Sequence, residues 1–394
     1  MTTRTVEGTA AKIISCQRRL FDIPEDVAYL NCAYISPLMK DVVAAGEAAI
    51  RRKARPWEIF PQHFFTEPEE ARTLFARLVG AAADDIAIQP STSYGAAIAA
   101  ANLDLPRGGR IVVLQEQFPS NVYPWREAAR HSGAVVETVR RPADDDWTPA
   151  VLERIGAGTA LVALPHVHWT DGAILDLVAI GRRVREVGAA LFIDATQSLG
   201  ALPLDVRDVR PDYLVAATYK WLLGPYGMGF LYVAPHRQSG RPIEEHWSTR
   251  AGSEDFARLV DYRDEYQPGA RRFDVGEKAN IHLVPMAIVA LKQILAWETA
   301  DIQASLRAMT DRIESRLRPL GLTTLPRALR AGHYLGLRFP RGVPEGLART
   351  LASENVHASV RGREAMRVTP HLWVSPQDED RFVDALTRAL RAGT

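Results

Sequence analysis

Between about residues 85 and 235 the chain alternates short apolar runs with stretches in which apolar residues recur at helical spacing. The runs Ile86–Gln89, Arg110–Leu114, Val135–Thr138, Ala160–Leu164, Ala190–Asp194, Tyr213–Ala217 and Phe230–Ala234 are the expected strands. Leu175–Val187 carries Leu177, Ile180 and Val184 three and four residues apart, the signature of an amphipathic helix. Strand alternating with helix predicts an α/β fold: a mostly parallel, seven-stranded sheet covered on both faces. Ligands of such sheets sit beyond the carboxyl ends of the strands. The loops after Leu114 and Leu164, and Asp194 itself, all fall there.

The pattern changes after about residue 285. Two long helical stretches, about 285–298 and 300–318, lead to short strands near Leu335–Phe339, Val356–Val360 and Met366–Val368. A terminal amphipathic helix, Asp378–Ala392, follows. The expected organisation is an N-terminal segment (1–45) joined to a small C-terminal α+β domain (285–394), with a large domain (46–284) between them.

At 394 residues, 47% apolar and 24% charged, the chain suits a globular protein of more than one domain. A formal net charge of +1 gives no reason to expect nucleic acid or an anionic membrane as partner. Cys16 and Cys32 are the only cysteines and suggest no disulfide framework, so a reducing cytoplasm is expected. The first thirty residues hold Arg4, Lys12, Arg18 and Arg19 without a sustained apolar stretch, so no signal peptide is expected.

The chemistry concentrates in LFIDATQSLGA (residues 191–201) and ATYKWLLGPYGMGFLYV (residues 217–233). An Asp that can pair with a pyridinium nitrogen, here Asp194, and a Lys that can form a Schiff base, here Lys220, are the protein's half of pyridoxal 5'-phosphate (PLP) chemistry. Ala216, Ala217, Trp221, Leu222 and Leu223 surround that lysine with apolar groups, and desolvation favours its neutral, nucleophilic amine. Taken singly, a strand-end lysine that snorkels to solvent and an Asp that caps a helix explain the same letters. Gln197 could donate a hydrogen bond to the cofactor's phenolic oxygen.

QPSTSYGAAIAAANL (residues 89–103) reads as strand, turn and helix. Thr92, Ser93 and the first amides of that helix make a phosphate site, although a plain helix cap uses the same residues. Phe118, in EQFPSNVYPW, could lie on the cofactor ring, as any exposed loop Phe could. Arg367 offers a guanidinium fork for a substrate carboxylate, with a surface ion pair the alternative. Gly224, Gly227 and Gly229 precede a strand instead of opening a helix, so they do not make a dinucleotide fingerprint. His166 and His168 have no third ligand nearby in sequence, so no metal is expected; one of them is expected to line the cofactor pocket. Trp57, Trp247, Arg250 and Arg263 are plausible pocket residues with equally good structural explanations.

Taken together, YLNCAYISPL (residues 29–38), DATQSLG, YKWLLGPYGMGFLYV and HLWVSPQDEDRFVDAL (residues 371–386) resemble fold-type I PLP enzymes of the aminotransferase class V group. That group includes cysteine desulfurases, kynureninases and related lyases, and the resemblance spans nearly the whole chain. It implies Lys220 as the Schiff-base lysine, Asp194 as the pyridinium partner and Gln197 as the phenolic-oxygen contact. It implies Thr92, Ser93 and Tyr219 as phosphate ligands, Phe118 as the stacking ring and Trp169 near the cofactor; His168, at the end of its strand, is expected to be the histidine that lines the cofactor pocket. Arg367 matches the carboxylate-binding arginine, with Asn31 and Tyr34 also placed toward substrate. Asn280, in GEKANIHLVPM, resembles a residue that reaches the phosphate from a neighbouring subunit, which implies a homodimer with shared active sites.

The departures bear on the reaction. VHASVRGREAMR (residues 356–367) lacks the cysteine that desulfurases carry there, so a persulfide mechanism is not expected. Kynureninases usually have His where this chain has Gln197, and desulfurases have Asn where it has Trp169. The expected function is a class V aminotransferase or a β-eliminating C–S lyase of an S-substituted cysteine. Kynureninase-like hydrolysis and amino-acid epimerisation come behind. A catalytically silent PLP-fold binding protein would be expected to lose Lys220, Asp194 or Arg367, and all three are present.

Overall fold

The computed structural model describes residues 11–392. Arg4 and the rest of the first ten residues of the expected N-terminal segment lie outside the described residues. In chain order the strands are β1 (Ala28–Tyr29), β2 (Ile86–Gln89), β3 (Arg110–Leu114), β4 (Val135–Val139), β5 (Thr159–Pro165) and β6 (Ala190–Asp194). They continue with β7 (Tyr213–Ala217), β8 (Gly229–Val233), β9 (Leu335–Arg338), β10 (Val356–His357), β11 (Ser359–Arg361) and β12 (Ala365–Val368). The helices are α1 (Lys40–Lys53), α2 (His63–Val79), α3 (Thr92–Asn102), α4 (Tyr123–Ser132), α5 (Trp147–Arg154) and α6 (Leu177–Glu186). After them come α7 (Val206–Val209), α8 (Leu283–Trp297), α9 (Thr299–Leu317), α10 (Leu347–Ser353) and α11 (Pro376–Ala392).

Seven strands form the central sheet in the order β2-β8-β7-β6-β5-β3-β4. The ladder from β7 to β4 is parallel; β8 runs antiparallel to both β7 and β2. Alternate residues of each strand feed two different cores. Val112, Leu114, Val162, Leu164, Leu191 and Ile193 pack on one side with α2, α5, α6 and α8. Ile111, Val113, Leu161, Ala163, Ala190 and Phe192 pack on the other with α3 and α4. Burial on both faces is why these strands read as unbroken apolar runs. Asp146 and Asp176 begin α5 and α6 by accepting backbone N–H bonds from Thr148 and Ala179.

A third core gathers the N-terminal stretch with the C-terminal elements. Phe21, Leu30 and Cys32 are buried there among Leu335, Met366 and Phe382. β9, β12 and β11 form a small antiparallel sheet, while β1 pairs in parallel with β10. The expected strand Val356–Val360 is therefore two strands: the chain turns at Ala358, so that one apolar run serves two different sheets. α8 contributes Val284, Ala287 and Leu291 to the first core and Ala290 and Ile294 to the third. This explains its apolar residues all round. Among the described residues no single helix is long and apolar enough to cross a membrane.

Candidate active site

The carboxyl ends of β5, β6 and β7 open into a cavity of about 260 Å³. Its floor is set by the loop between β7 and β8. Thr218 Oγ1 lies 2.6 Å from the Pro225 carbonyl and 3.0 Å from that of Met228. The Gly224 N–H donates to the Thr218 carbonyl at 2.9 Å. Gly224 has no room for a side chain, since a Cβ would fall 2.8 Å from Thr218 Cβ. The closed loop turns Tyr219 and Lys220 back across the sheet end and into the cavity.

Lys220 is only 6% exposed. Its Nζ lies 5.2 Å from the Phe118 ring centroid and 5.3 Å from that of Tyr219. Burial pushes its pKa down to about 8; Arg367 and Arg361 push the same way, against the pull of Asp194. Asp194 ends β6, and its Oδ1 accepts the Thr196 N–H at 3.0 Å. Burial raises the carboxyl's pKa, with Thr196 and Lys220 acting in the opposite direction. The Tyr219 phenol, also desolvated, is pushed up to about 12.

On one wall, the α3 N-terminus points at the cavity with Ser91 as its cap, Ser91 Oγ accepting the Tyr94 N–H at 3.2 Å. Thr92 Oγ1 lies 3.1 Å from Thr196 Oγ1, which ties this turn to the loop after β6. Gly95 lets α3 lie close over the sheet: a Cβ there would come within 2.9 Å of Val215 Cγ2. Gln197 is fixed at three points. Its Oε1 accepts the Trp221 indole N–H at 3.0 Å, its Nε2 donates to the Ala33 carbonyl at 3.1 Å, and its own carbonyl takes a bond from His333 Nε2 at 2.8 Å. Burial pushes His333 down to about 3, so the ring is neutral. The side-chain amide therefore has one orientation and one Nε2–H left over.

On the opposite wall Phe118 meets Trp169 edge to face at 5.4 Å. Arg367 does not itself line the cavity but sits behind Trp169, 2% exposed, donating to the Trp169 carbonyl at 3.1 Å and to Ser359 Oγ at 3.3 Å, while its Nε is buried without a partner.

Lys220, Asp194, Gln197, Phe118, Thr92, Ser93, Tyr219 and Trp169 thus line one cavity. His168 does not, and this corrects the expectation for it. Beyond the end of β5 the alternation continues, so Pro165, Val167 and Trp169 face the cavity while His166 and His168 face away. The His168 ring is buried, stacked 5.3 Å from Trp147, with its nitrogens at 2.7 Å from Thr170 Oγ1 and 3.1 Å from the Gln115 carbonyl. Asn31 lies against β11, accepting from Ser359 Oγ at 2.6 Å, and Tyr34 is exposed. Asn280 is exposed just ahead of α8, its Oδ1 accepting the N–H groups of His282 and Leu283 at 3.1 and 3.0 Å. Trp57, Trp247, Arg250 and Arg263 stand away from the cavity. Arg361, which sequence reasoning passed over, stands beside Arg367 on the same hairpin, its Cζ 5.5 Å from the Trp169 centroid.

These residues fit PLP. They offer a desolvated amine, a buried carboxylate, a capped helix start, an aromatic face and a guanidinium with an unpartnered buried nitrogen. Among the described residues no group of His, Cys, Asp and Glu could hold a metal ion.

A family model described as Aminotransferase class-V matches residues 39–375. The uncharacterized aminotransferase YcbU of Bacillus subtilis is 35% identical over 56% of this chain and 56% of its own length, so the match spans about half of that relative. A kynureninase of Salinispora tropica is 28% identical over 94% of this chain and 93% of its own length. Among solved structures, the apo cysteine desulfurase of Thermococcus onnurineus NA1 shares the fold. It has a TM-score of 0.82 at 20% identity, covering 97% of this chain and 100% of that one.

Proposed function

Since the chain belongs to the aminotransferase class-V family, and is thus a PLP-dependent enzyme, we propose that it acts on an α-amino acid by removing the Cα proton with Lys220. Transamination is the first outcome and β-elimination of an S-substituted cysteine the second. One observation carries the choice of reaction type: Lys220 is the only lysine lining the cavity, and no histidine or cysteine among the described residues lines it with Lys220. A single base serves both proposed reactions. Hydrolysis and two-base epimerisation each call on a further proton-transfer group; among the described residues, apart from Asp194 only the Tyr219 and Tyr226 phenols line the cavity to supply one, and burial pushes Tyr219 up to about 12.

When bound, PLP supplies an aldehyde for amines and an electron sink for charge formed at Cα. Asp194 would face the pyridine nitrogen and keep a proton there. Thr92, Ser93 and the start of α3, with Tyr219, would hold the phosphate. The fixed Gln197 amide would turn its remaining Nε2–H to the phenolic oxygen, and Phe118 would cover the ring. Arg367 would hold the substrate carboxylate and so aim the Cα–H at Lys220. With its pKa brought down to about 8, Lys220 has an appreciable neutral fraction near neutral pH and can take that proton.

We assign the working unit as a homodimer in the cytoplasm. The exposed Asn280 and Tyr226, the latter at the cavity mouth, support a subunit interface there, and both cysteines are free thiols. The large and small domains are divided as 46–284 and 285–394, with 1–45 joined to the small one.

Borohydride treatment of the PLP-loaded protein, then peptide mapping, should place the pyridoxyl label on Lys220. A panel of amino acids should give a keto acid with accumulating pyridoxamine phosphate; pyruvate, ammonia and a thiol would instead mark the lyase. Label absent from Lys220 in folded, PLP-supplied protein would sink the assignment.

A further inference from the structure

Arg361 and Arg367 stand on the same face of one hairpin. β11 and β12 pair antiparallel with Arg361 opposite Ala365 and Ser359 opposite Arg367. Directly paired residues, and residues two apart along a strand, share a face, which makes the two arginines diagonal neighbours. Both guanidiniums pack on Trp169, with Cζ 5.5 and 5.6 Å from its ring centroid, and Trp169 lines the cavity with Lys220.

Neither arginine has an ion-pair partner among the described residues, and each has a buried Nε without a hydrogen bond. Arg361 makes no side-chain hydrogen bond with them at all. Two other arginines in this part of the chain are paired, although the half-buried Arg307 makes no ion pair with the described residues either. Arg330 pairs with Asp311 and Glu314, and Arg338 with Asp145. Like charges side by side on one sheet face are unfavourable, and the one carboxylate of the hairpin, Glu364, is exposed at its turn and makes no ion pair with either arginine. The compensating anions must come from outside.

The two guanidiniums also stand at different depths. Arg367 is fully buried and held by the Trp169 carbonyl and Ser359, whereas Arg361 is half-buried. We infer that the substrate is an acidic amino acid whose side chain ends in a second carboxylate-type anion, held by Arg361 while Arg367 takes the α-carboxylate. This rests on the cavity being the amino-acid site proposed above.

The test uses the PLP-loaded enzyme and ligands without an amine, so that binding is read apart from reaction. Calorimetry with glutarate and butyrate compares two anions with one. Glutarate should bind about tenfold more tightly or better, the range expected for a charge-assisted hydrogen-bonded contact. R361Q should bring glutarate down to the butyrate level, and R361K should recover part of the difference; R367Q should weaken both ligands.

Equal affinity of the wild type for the two ligands would overturn the inference without any variant. A loss of both ligands by the same factor in R361Q would mean that the arginines share one carboxylate, and it too would overturn the inference. Failure of Lys220 to take up cofactor is a separate result and counts against the parent assignment. Normal labelling of Lys220 with no preference for glutarate counts against the second anion site alone.

Discussion

Replacing Asp274 by Asn keeps the side chain's shape and removes only its charge, at a point where charge is fully enclosed. The Asp274 carboxylate takes Arg72 at 3.1 and 2.9 Å, the Ile88 N–H at 2.8 Å and Lys278 Nζ at 3.1 Å, and neither Asp274 nor Arg72 is exposed. Burial alone would raise its pKa, but Arg72 and Lys278 outweigh burial and hold the carboxyl below its ordinary range. Removing one member of a buried ion pair costs roughly 3–5 kcal/mol, because the partner charge stays buried and unmatched. Glu69 still faces Arg72, at 3.0 Å, so the lower end, about 3 kcal/mol, is expected. Urea unfolding followed by tryptophan fluorescence at pH 7 measures the loss. A carboxylate with a depressed folded pKa stabilises fully above its unfolded value, about 3.9, and the contribution disappears as pH falls through the folded value. The gap between wild type and variant should therefore hold from pH 8 to 5 and narrow below about 4. Adding Lys278→Met to the variant removes an unmatched cation and should recover part of the stability. A loss under about 1 kcal/mol at pH 7, or no recovery in the double variant, would refute the reasoning.

Two further outcomes concern the cavity. Because burial and the two arginines bring Lys220 down to about 8, the rate at which the apo-protein attaches PLP should rise with pH and level off above that value. Arg367→Gln removes one cationic neighbour and should move the profile to higher pH, read by stopped-flow absorbance. Gly95→Val should weaken PLP binding about tenfold or more in a cofactor titration, since its Cβ meets Val215 Cγ2 at 2.9 Å and the α3 start must lift from the sheet.

The parts legible in the sequence are those that depend on local alternation alone. Central strands buried on both faces appear as apolar runs wherever they end up in the sheet, so their order along the chain could be read directly. Asp194 and Lys220 were visible for a related reason: each follows such a run, and the carboxyl ends of parallel strands converge. What escaped depends on how segments turn in space. His168 and Trp169 are neighbours in sequence, yet the period of two continues past β5, so only Trp169 faces the cavity. Counting by twos from Pro165 would have separated them. The run Val356–Val360 looked like one strand because nothing in its composition marks the turn at Ala358, which exists only because two separate sheets claim its halves. Ending that strand at Val360 also hid Arg361, the residue paired across from Ala365 and two steps from Arg367's register. The arginine pair is therefore a property of hairpin register, visible only once β11 and β12 are paired and both guanidiniums come to rest on Trp169.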